Sequence, residues 1–294
     1  MARKPRWVHS KLGGGRVAVI LDGKGLAKKM LLEIKNEVAQ NGLNPGLAVV
    51  IVGGNPASRI YVDSKKQDCR KCGIRSEEFA LAENTSEADL LELIKKLNER
   101  ADIHGILVQL PLPKGLNSDK VIQAISPSKD VDGFHMYNVW RIFVNDYAFL
   151  PCTPAGIIEL LAHYDIDPRG KHCVVVGRST IVGKPMAMML TNQNATVTVC
   201  HSVTVNLPSF TKQADILVSA IGRADFITAD MVKQGAIVID VGINRREDGS
   251  ICGDVDFEEV SKLASYITPV PGGVGPMTRA LLMKNTLKAA RGGN

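Results

Sequence analysis

Tyr61 and Lys65 stand four residues apart in the segment that follows Asn55-Pro56. If that segment is helical, the two side chains leave the same face of the helix. A partly desolvated lysine beside a phenol can carry protons near neutral pH, so the pair is a candidate for general acid–base catalysis. The alternative is an ordinary surface pair, which the adjacent Lys66 favours.

Two polar residues further along are candidates for the same site. Gln109 follows a buried apolar run and precedes a proline-bounded loop, where open α/β sheets present side chains to ligands. Asp132 lies within the Asp130-Val-Asp-Gly-Phe134 segment. Its carboxylate could bind a ligand, or it could simply form a turn.

A second set of residues has the arrangement of a phosphate-binding turn. A branched apolar run over 171–177 ends in Gly177, and Gly183 opens a helical segment. Backbone N–H groups at such a helix N-terminus can receive a pyrophosphate. The pattern is not G-x-G-x-x-G, because Arg178 and Ser179 stand where the second glycine region would be.

The end of the following strand indicates which dinucleotide would bind. Rossmann enzymes place an acid there, ~20 residues on, to hold the ribose 2′-hydroxyl of NAD. Here the run over 195–200 is followed by His201 and Ser202, without a carboxylate, and Arg178 could lie across the crevice. An arginine and a hydroxyl favour a 2′-phosphate and therefore NADP, the alternative being a solvated strand end.

Both sets of candidate residues depend on strands and helices to bring them together. Strand-like runs alternate with helical periodicity, which predicts an α/β fold with parallel sheet and crossover helices. The predicted strands are 46–54, 74–81, 103–113, 171–177, 195–200, 214–222 and 235–242. The predicted helices are 25–40, 56–72, a segment opened by Ser86 and Asp89, 153–164, a segment from 183, and 277–290. Residues 130–154 are predicted to be a loop that connects two domains.

Length and charge restrict the classes of function. A chain of 294 residues exceeds a typical single domain, so two domains are expected. The net charge of +6 attracts anions, but the Lys and Arg are dispersed without interleaved aromatics, which is not typical of a nucleic-acid module. No window approaches the ~18 apolar residues of a membrane span. Anionic small molecules are therefore the expected ligands.

The first sixteen residues carry five basic residues, no acid and no apolar core of a secretory signal. Residues 1–16 are therefore predicted to be a disordered basic tail. The alternative is a remnant of an organellar transit peptide. A cytoplasmic location is expected, with a mitochondrial one as the alternative.

Cys69 and Cys72 form one CxxC among six scattered cysteines. Zinc would need a second ligand pair, which the nearby sequence lacks, and the pair falls within a predicted helix. Free thiols in a reducing compartment are the favoured interpretation, and no metal site is predicted.

Several motifs together resemble the bifunctional methylenetetrahydrofolate dehydrogenase/cyclohydrolase family. The resemblance covers 17–290, and the stretch over 269–278 is its most specific part. The motifs, in chain order, are Tyr61-Val-Asp-Ser-Lys65, Val108-Gln109-Leu110-Pro111, Asp130-Val-Asp132-Gly133-Phe134, Pro151-Cys-Thr-Pro154, Gly177-Arg-Ser179 and Pro269-Val-Pro-Gly-Gly-Val-Gly-Pro-Met-Thr278.

The resemblance implies two reactions and a two-domain architecture. The family oxidises 5,10-methylenetetrahydrofolate with NADP and hydrolyses the methenyl product to 10-formyltetrahydrofolate. An N-terminal α/β catalytic domain over 17–152, rejoined by the helix over 277–290, would bind folate. A C-terminal Rossmann-like dinucleotide-binding domain over 153–276 would bind NADP, with the cleft between the two. The partners implied are tetrahydrofolate derivatives and a second copy in a homodimer.

The resemblance also implies residue roles. Lys65 would be the general acid/base, tuned by Tyr61 and Gln109, while Asp132 would bind the pterin. The other implied folate-contacting residues are Tyr61 itself, Val108, Leu110, Pro271, Gly272, Gly273 and Gly275. The implied NADP-contacting residues are Gly177, Arg178, Ser179, His201, Ser202 and Ile243.

Two rival interpretations remain at this point. A shikimate- or amino-acid-dehydrogenase-like enzyme also uses a lysine and an aspartate in an interdomain cleft. A catalytically dead folate- or nucleotide-binding protein would retain the fold alone, although the Tyr61, Lys65 and Gln109 set argues against it.

Overall fold

The computed structural model describes residues 18–292. The predicted basic tail over 1–16 lies outside that range. Strand β1 (Val19–Ile20) leads into a first group of alternating elements: α1 (Gly23–Gln40), β2 (Gly46–Val52), α2 (Pro56–Cys72), β3 (Arg75–Leu81), α3 (Glu87–Glu99), β4 (Gly105–Val108), α4 (Ser118–Gln123), α5 (Met136–Phe143) and α6 (Cys152–His163).

The second group follows α6 directly. It comprises β5 (His172–Val176), α7 (Gly183–Asn192), β6 (Thr196–Cys200), α8 (Leu207–Thr211), β7 (Ile216–Ser219), a 3-10 turn (Ala229–Met231), β8 (Ile237–Asp240), β9 (Asn244–Arg245), β10 (Ile251–Cys252), α9 (Phe257–Val260), β11 (Tyr266–Ile267) and α10 (Val274–Ala290).

The strands form two parallel sheets, one for each half of the chain. The first sheet has the order β3-β2-β4, and the second has the order β1-β11-β8-β7-β5-β6. Strands β9 and β10 form a small antiparallel hairpin. In the second sheet the strand order reverses between β5 and β7, which is where open α/β sheets bind ligands. The predicted α/β fold with parallel sheet is confirmed.

Local signals account for helix α2, which carries Tyr61 and Lys65. The Asn55 side chain accepts a hydrogen bond from the Ser58 N–H, and Pro56 occupies the first turn. Gly73 ends the helix in a left-handed conformation with φ of 75°. The predicted bounds of this helix are confirmed.

The predicted loop over 130–154 is wrong in its middle, because residues 136–143 form α5. The side chain of Asn138 and that of Ile142 are buried against the fold, whereas Trp140 and Phe143 are exposed and stack on each other with ring centroids 5.9 Å apart. The polar Asn138 is buried while apolar residues are exposed, so burial in this helix is the reverse of the usual amphipathic pattern. The predicted strand over 103–113 is also too long, since β4 ends at Val108.

Two terminal segments cross between the halves of the molecule. Strand β1, from the segment expected to begin the first domain, instead pairs with β11 in the second sheet. Helix α10 follows the second sheet and packs against α1, α2 and α6. Its side chains share a hydrophobic core with α1 and β2, including Met277, Leu281 and Leu31.

Gly133 is a point at which the chain permits no side chain. Its φ is +74°, and an added Cβ would lie 2.6 Å from the Leu150 carbonyl carbon and from the Pro151 nitrogen. Gly170 has a similar φ of +71° with nothing within 4 Å. Substitution of each glycine by alanine would add the same backbone strain, but only substitution at Gly133 would also add a steric clash.

We expect Gly133→Ala to lower the free energy of unfolding by ~1–3 kcal/mol more than Gly170→Ala does. Both variants carry the cost of alanine at positive φ, but only the first also displaces neighbouring backbone. Chemical denaturation of the two variants and the parent measures this difference. Equal losses for the two would show that the segment around Leu150 yields without cost.

Candidate active site

Lys65 and Gln109 meet where α2 faces the end of β4. The Lys65 Nζ donates to the Gln109 Oε1 at 3.1 Å, and the Gln109 Nε2 donates to the Leu110 carbonyl at 2.7 Å. The second bond orients the amide so that its oxygen faces the lysine. The backbone N–H of Gln109 donates to the Val50 carbonyl at 2.8 Å, which anchors the residue to β2.

Tyr61 lies one helical turn before Lys65 and is half-buried. Burial raises the pKa of its hydroxyl, and the positive charge of Arg279 acts in the opposite direction. Arg279 belongs to α10 and did not stand out in the sequence. The hydrogen bond found for the Lys65 ammonium goes to Gln109, so the amide holds the lysine and Tyr61 lies beside it.

The two aspartates of the 130–134 segment have different surroundings. Asp130 is buried, and its carboxylate accepts from the backbone N–H groups of Phe134 and His135 and from the Asn138 amide. Asp130 is thus the turn-forming residue. Burial raises the pKa of the half-buried Asp132 carboxyl, while the charge of Lys65 opposes the rise. Asp132 is therefore the acid within electrostatic reach of the lysine.

The loop before α10 is packed closely against the start of α1. The Lys24 N–H donates to the Gly272 carbonyl at 2.8 Å, and a Cβ at Gly273 would lie 2.7 Å from the Pro269 carbonyl oxygen. Pro271 is exposed, and the peptide bond before it is cis. Among residues 18–292, no side chain caps the N-terminus of α10.

Val108 and Leu110 flank Gln109 but differ in exposure. Val108 is 6% exposed and packs in the core beside Val50 and Ile106. Any contact of Val108 with a substrate would therefore involve its backbone. Leu110 is half-buried and precedes Pro111 through a cis peptide bond.

The glycines of the second site lie where two strand ends and a helix meet. A Cβ at Gly177, whose φ is 132°, would lie 2.3 Å from the Ala220 carbonyl oxygen, and a Cβ at Gly183 would lie 2.2 Å from the Gly177 carbonyl oxygen. The Ser179 Oγ accepts from the N–H groups of Val182 and Gly183 at 3.2 Å each. The turn thus presents amides and a hydroxyl at the start of α7, as a bound phosphate requires.

The side chains around this turn leave room for a charged ligand. Arg178, Ser202 and Ile243 are exposed. Ile243 also lies close to the loop before α10, because a Cβ added to Gly275 would lie 3.6 Å from its Cδ1. The His201 Nδ1 is buried and has no hydrogen-bond partner among residues 18–292. A buried nitrogen without a partner is costly unless a ligand satisfies it.

Two buried aspartates, which the sequence analysis missed, hold the loops that follow β7 and β10. The Asp254 carboxylate accepts from the N–H groups of Ile221 at 2.7 Å and Arg223 at 3.0 Å, just after β7. The Asp240 carboxylate accepts from the Asp254 and Val255 N–H groups, both at 2.9 Å. Burial raises the pKa of Asp240 to about 6. The position of Asp240 at the end of β8 was a sequence signal that could have identified it as a candidate.

Cys69 and Cys72 are both free and buried in α2. Burial raises the pKa of each thiol to about 12. Thiols that react or bind metal usually have a lowered pKa, so these surroundings favour packing. In the part of the chain that is described, no helix has the length and apolarity to cross a bilayer.

Comparison with known proteins gives the same family for both halves. Residues 21–132 match the catalytic domain of tetrahydrofolate dehydrogenase/cyclohydrolase, and residues 151–293 match its NAD(P)-binding domain. The bifunctional protein FolD of Acetivibrio thermocellus is 58% identical over 277 residues, which are 93% of this chain and 97% of the relative.

Solved structures agree with this result. The bifunctional FolD dehydrogenase/cyclohydrolase of Campylobacter jejuni has a TM-score of 0.91 and 51% identity, covering 94% of this chain and 99% of that one. The FolD of Trypanosoma brucei, complexed with NADP and an inhibitor, has a TM-score of 0.90 and 38% identity, covering 94% and 98%. The resemblance in the motifs is confirmed, and the shikimate-type interpretation is not. The chain belongs to the tetrahydrofolate dehydrogenase/cyclohydrolase family.

Proposed function

We propose that the chain oxidises 5,10-methylenetetrahydrofolate to 5,10-methenyltetrahydrofolate with NADP and then hydrolyses the product to 10-formyltetrahydrofolate, in one-carbon metabolism. The observation that carries this proposal is the Lys65–Gln109 hydrogen bond with Asp132 in electrostatic reach of the lysine. Family membership supplies the substrate class, and this group of side chains supplies the means for a proton transfer.

The dinucleotide turn fits the implied cofactor. Gly177 and Gly183 leave the space that a Cβ would fill, and the start of α7 supplies backbone N–H groups for the pyrophosphate. Arg178 and Ser202 would bind the 2′-phosphate, while Ser179, His201 and Ile243 would contact the rest of the molecule. Bound NADP supplies the hydride acceptor. Because hydride transfer moves no proton, the chain's own contribution to this step is positioning.

The hydrolysis requires proton transfers that the dehydrogenation does not. The attacking water must lose a proton, and a ring nitrogen must gain one as the ring opens. Lys65 would carry these protons, held by the Gln109 amide, and Tyr61 would stack on the folate beside it. General acid–base catalysis contributes ~10²–10⁴-fold to such steps. The Asp132 carboxylate would accept hydrogen bonds from the aminopyrimidine edge of the pterin.

We expect Lys65→Met to abolish hydrolysis while measurable dehydrogenase activity remains. Methionine keeps most of the stem volume and removes the proton-carrying group. NADPH and methenyl absorbance followed in one reaction test this, and the methenyl signal should persist in the variant. Lys66→Met is the matched control, because the Lys66 Nζ pairs with Glu78 at 2.7 Å.

Two outcomes would change this assignment. Parent-like hydrolysis by the Lys65→Met protein would remove Lys65 from the mechanism. Loss of both activities in a folded variant would make placement of the folate its main role. If the parent itself forms no NADPH from methylenetetrahydrofolate, the chain is a binding protein.

We expect Arg178→Gln to weaken NADP binding selectively. A charge-assisted hydrogen bond contributes ~1.5–3 kcal/mol, and NAD lacks the phosphate that would accept it. KM values for NADP and NAD measured side by side give the change in selectivity. Arg169→Gln, at an exposed arginine that pairs with Asp167, is the control. Equal loss for both cofactors would contradict the assignment.

We also propose that the chain forms a homodimer through the edge of the second sheet. Strand β6 is the last strand of that sheet, and Val199, Val203, Val205 and Phe210 are exposed on and after it. An edge strand with apolar neighbours can pair with a second chain.

We expect sedimentation velocity to give twice the chain mass for the parent and the monomer mass for Val205→Asp. The charge would be buried without a partner in the paired state. Phe143→Ser, which alters the exposed face of α5, should leave the dimer intact. Dissociation by Phe143→Ser alone would place the interface on α5.

We propose a cytoplasmic location for the chain. The bacterial FolD proteins that the chain resembles along 93% of its length favour it. They give no support to the mitochondrial alternative. Fractionation of the source cells tests this location.

A further inference from the structure

Asp254 carries a carboxylate to which the proposed reactions assign no role. The residue follows β10 and is fully buried. Burial of a charged carboxylate is costly unless hydrogen bonds compensate for the loss of water. The two oxygens accept hydrogen bonds from five neutral donors, which are the N–H groups of Ile221, Gly222 and Arg223, the Ser219 hydroxyl and the Asn244 side-chain amide. Bonding as an acceptor alone is typical of an ionised carboxylate.

The first three donors belong to the loop after β7, which lies against the dinucleotide turn. A Cβ on Gly177 would lie 2.3 Å from the Ala220 carbonyl oxygen, so the two segments are in contact. Gly177 follows β5 and Ala220 follows β7, and the strand order of the second sheet reverses between these two strands. The three N–H groups that Asp254 accepts come directly after Ala220, at 2.7, 3.1 and 3.0 Å. Asp254 therefore fixes the course of the chain beside the phosphate-binding turn.

The same carboxylate holds the loop after β8. The Asn244 Nδ2 donates to the Asp254 Oδ1 at 2.9 Å and to the Gly253 carbonyl at 3.0 Å. Asn244 follows Ile243, for which a contact with the dinucleotide is proposed. A Cβ on Gly242 would overlap the Asp254 carboxylate, so this loop passes directly over it. One side chain thus ties together the loops that follow two neighbouring strands of the crevice.

The link from Asp254 to the folate side runs through its backbone instead. The Asp254 N–H donates to the Asp240 carboxylate at 2.9 Å. The Asp240 N–H in turn donates to the Thr268 Oγ1 at 2.7 Å, and Thr268 directly precedes the loop that begins at Pro269. A change of the Asp254 side chain leaves its N–H in place, so it retains this link. The carboxylate of Asp254 therefore acts on the cofactor side of the cleft.

We propose that Asp254 is a positioning residue for the dinucleotide, because it holds the loops after β7 and β8 in the conformation that receives NADP. This inference rests on the proposed function. Hydrolysis of a methenyl substrate needs no dinucleotide, so the two reactions depend on Asp254 differently. Dehydrogenation requires its carboxylate, whereas hydrolysis at Lys65 does not.

The dependence on Asp254 is the same for NADP and for NAD. The proposed 2′-phosphate contact of Ser202 lies just after β6, whereas β7 and β8 lie on the other side of β5 in the sheet. The loops that Asp254 holds therefore face the part of the dinucleotide that the two cofactors share. This separates the role of Asp254 from that of Arg178, whose replacement is expected to weaken NADP selectively.

The test replaces Asp254 by asparagine in the full chain and measures both activities. Asparagine keeps the shape of the side chain, but its NH₂ group cannot accept from the N–H groups of the loop. We expect KM for NADP and KM for NAD each to rise by about tenfold or more, the factor that corresponds to the loss of one hydrogen bond to a charged group. Hydrolysis of supplied 5,10-methenyltetrahydrofolate, measured without dinucleotide, should keep the parental rate.

Two further variants accompany Asp254→Asn. Asp215→Asn is the matched control, because the Asp215 carboxylate accepts from the His172 N–H at 2.9 Å where β5 and β7 begin, at the far end of the same strands. It should keep both activities. Asn244→Ala removes one of the five donors and leaves the carboxylate in place, so both KM values should rise by a smaller factor. Thermal unfolding of each variant shows whether the fold is retained.

An unchanged KM for NADP in a folded Asp254→Asn protein would overturn the proposal. So would a proportional loss of dehydrogenation and hydrolysis, because that result would assign Asp254 to the stability of the whole fold. A loss confined to NADP would also overturn it, since the effect would then lie at the 2′-phosphate. If Asp254→Asn does not fold, unchanged KM values in Asn244→Ala would have the same consequence.

A parent that forms no NADPH from methylenetetrahydrofolate would instead contradict the proposed function. Binding of NADP to the parent and to Asp254→Asn, measured by calorimetry, then still decides the role of Asp254. Equal affinities would remove Asp254 from the positioning of the dinucleotide, and weaker binding by the variant would support it.

Discussion

The two crossings of the chain between the sheets touch each other, and the placement of the site depends on that contact. The chain leaves β1 through Gly23 into α1 and returns from β11 through the loop that ends at Gly273. A Cβ on Gly23 would lie 1.9 Å from the Gly273 carbonyl oxygen. Since β1 and β11 are neighbours in one sheet, α1 and α10 begin side by side. Helix α2 packs on both, so the position of Lys65 relative to the second sheet follows from this contact.

Buried acids occur in this molecule in two kinds of surroundings. Asp130, Asp240 and Asp254 have carboxylates that each accept from two or more backbone N–H groups, and they fix loops at the ends of strands. Asp132 differs, because burial and the charge of Lys65 act on it in opposite directions. A carboxylate whose acceptors are already filled by the backbone has little capacity left for a ligand. The donors around an acid therefore distinguish a structural acid from one available for binding.

Elements with local signals could be predicted from the sequence, and elements held by distant contacts could not. Asn55, Pro56 and Gly73 bracket α2 because capping acts within a few residues. Strand β1 has two residues, and its partner β11 lies at the other end of the chain, so no local pattern marks it. Helix α5 has only eight residues, and its exposed side is aromatic while the polar Asn138 is buried, which is the reverse of the usual pattern.

The candidate site divides in the same way. Strand ends and helical spacing identify Gln109, Lys65 and Gly177 as candidates, because those patterns follow from the fold class. The Asp68–Arg279 ion pair joins two helices 211 positions apart and leaves no trace in either segment alone. Asp240 at the end of β8 did have a local signal, but the sequence could not predict that its carboxylate accepts from the N–H groups of Asp254 and Val255. Contacts of this kind are encoded in the packing of the whole chain.

The hydroxyl of Ser179 has a consequence for cofactor turnover. It already accepts the two N–H groups at the start of α7 that would face a phosphate. Entry of the dinucleotide is then an exchange of a neutral acceptor for a charged one, and each exchanged bond gains only about 1 kcal/mol. When the reduced dinucleotide leaves, the N–H groups of Val182 and Gly183 donate to the Ser179 hydroxyl again, so neither is left without an acceptor. The Ser179 hydroxyl thus supplies an acceptor for these two N–H groups whenever no phosphate does.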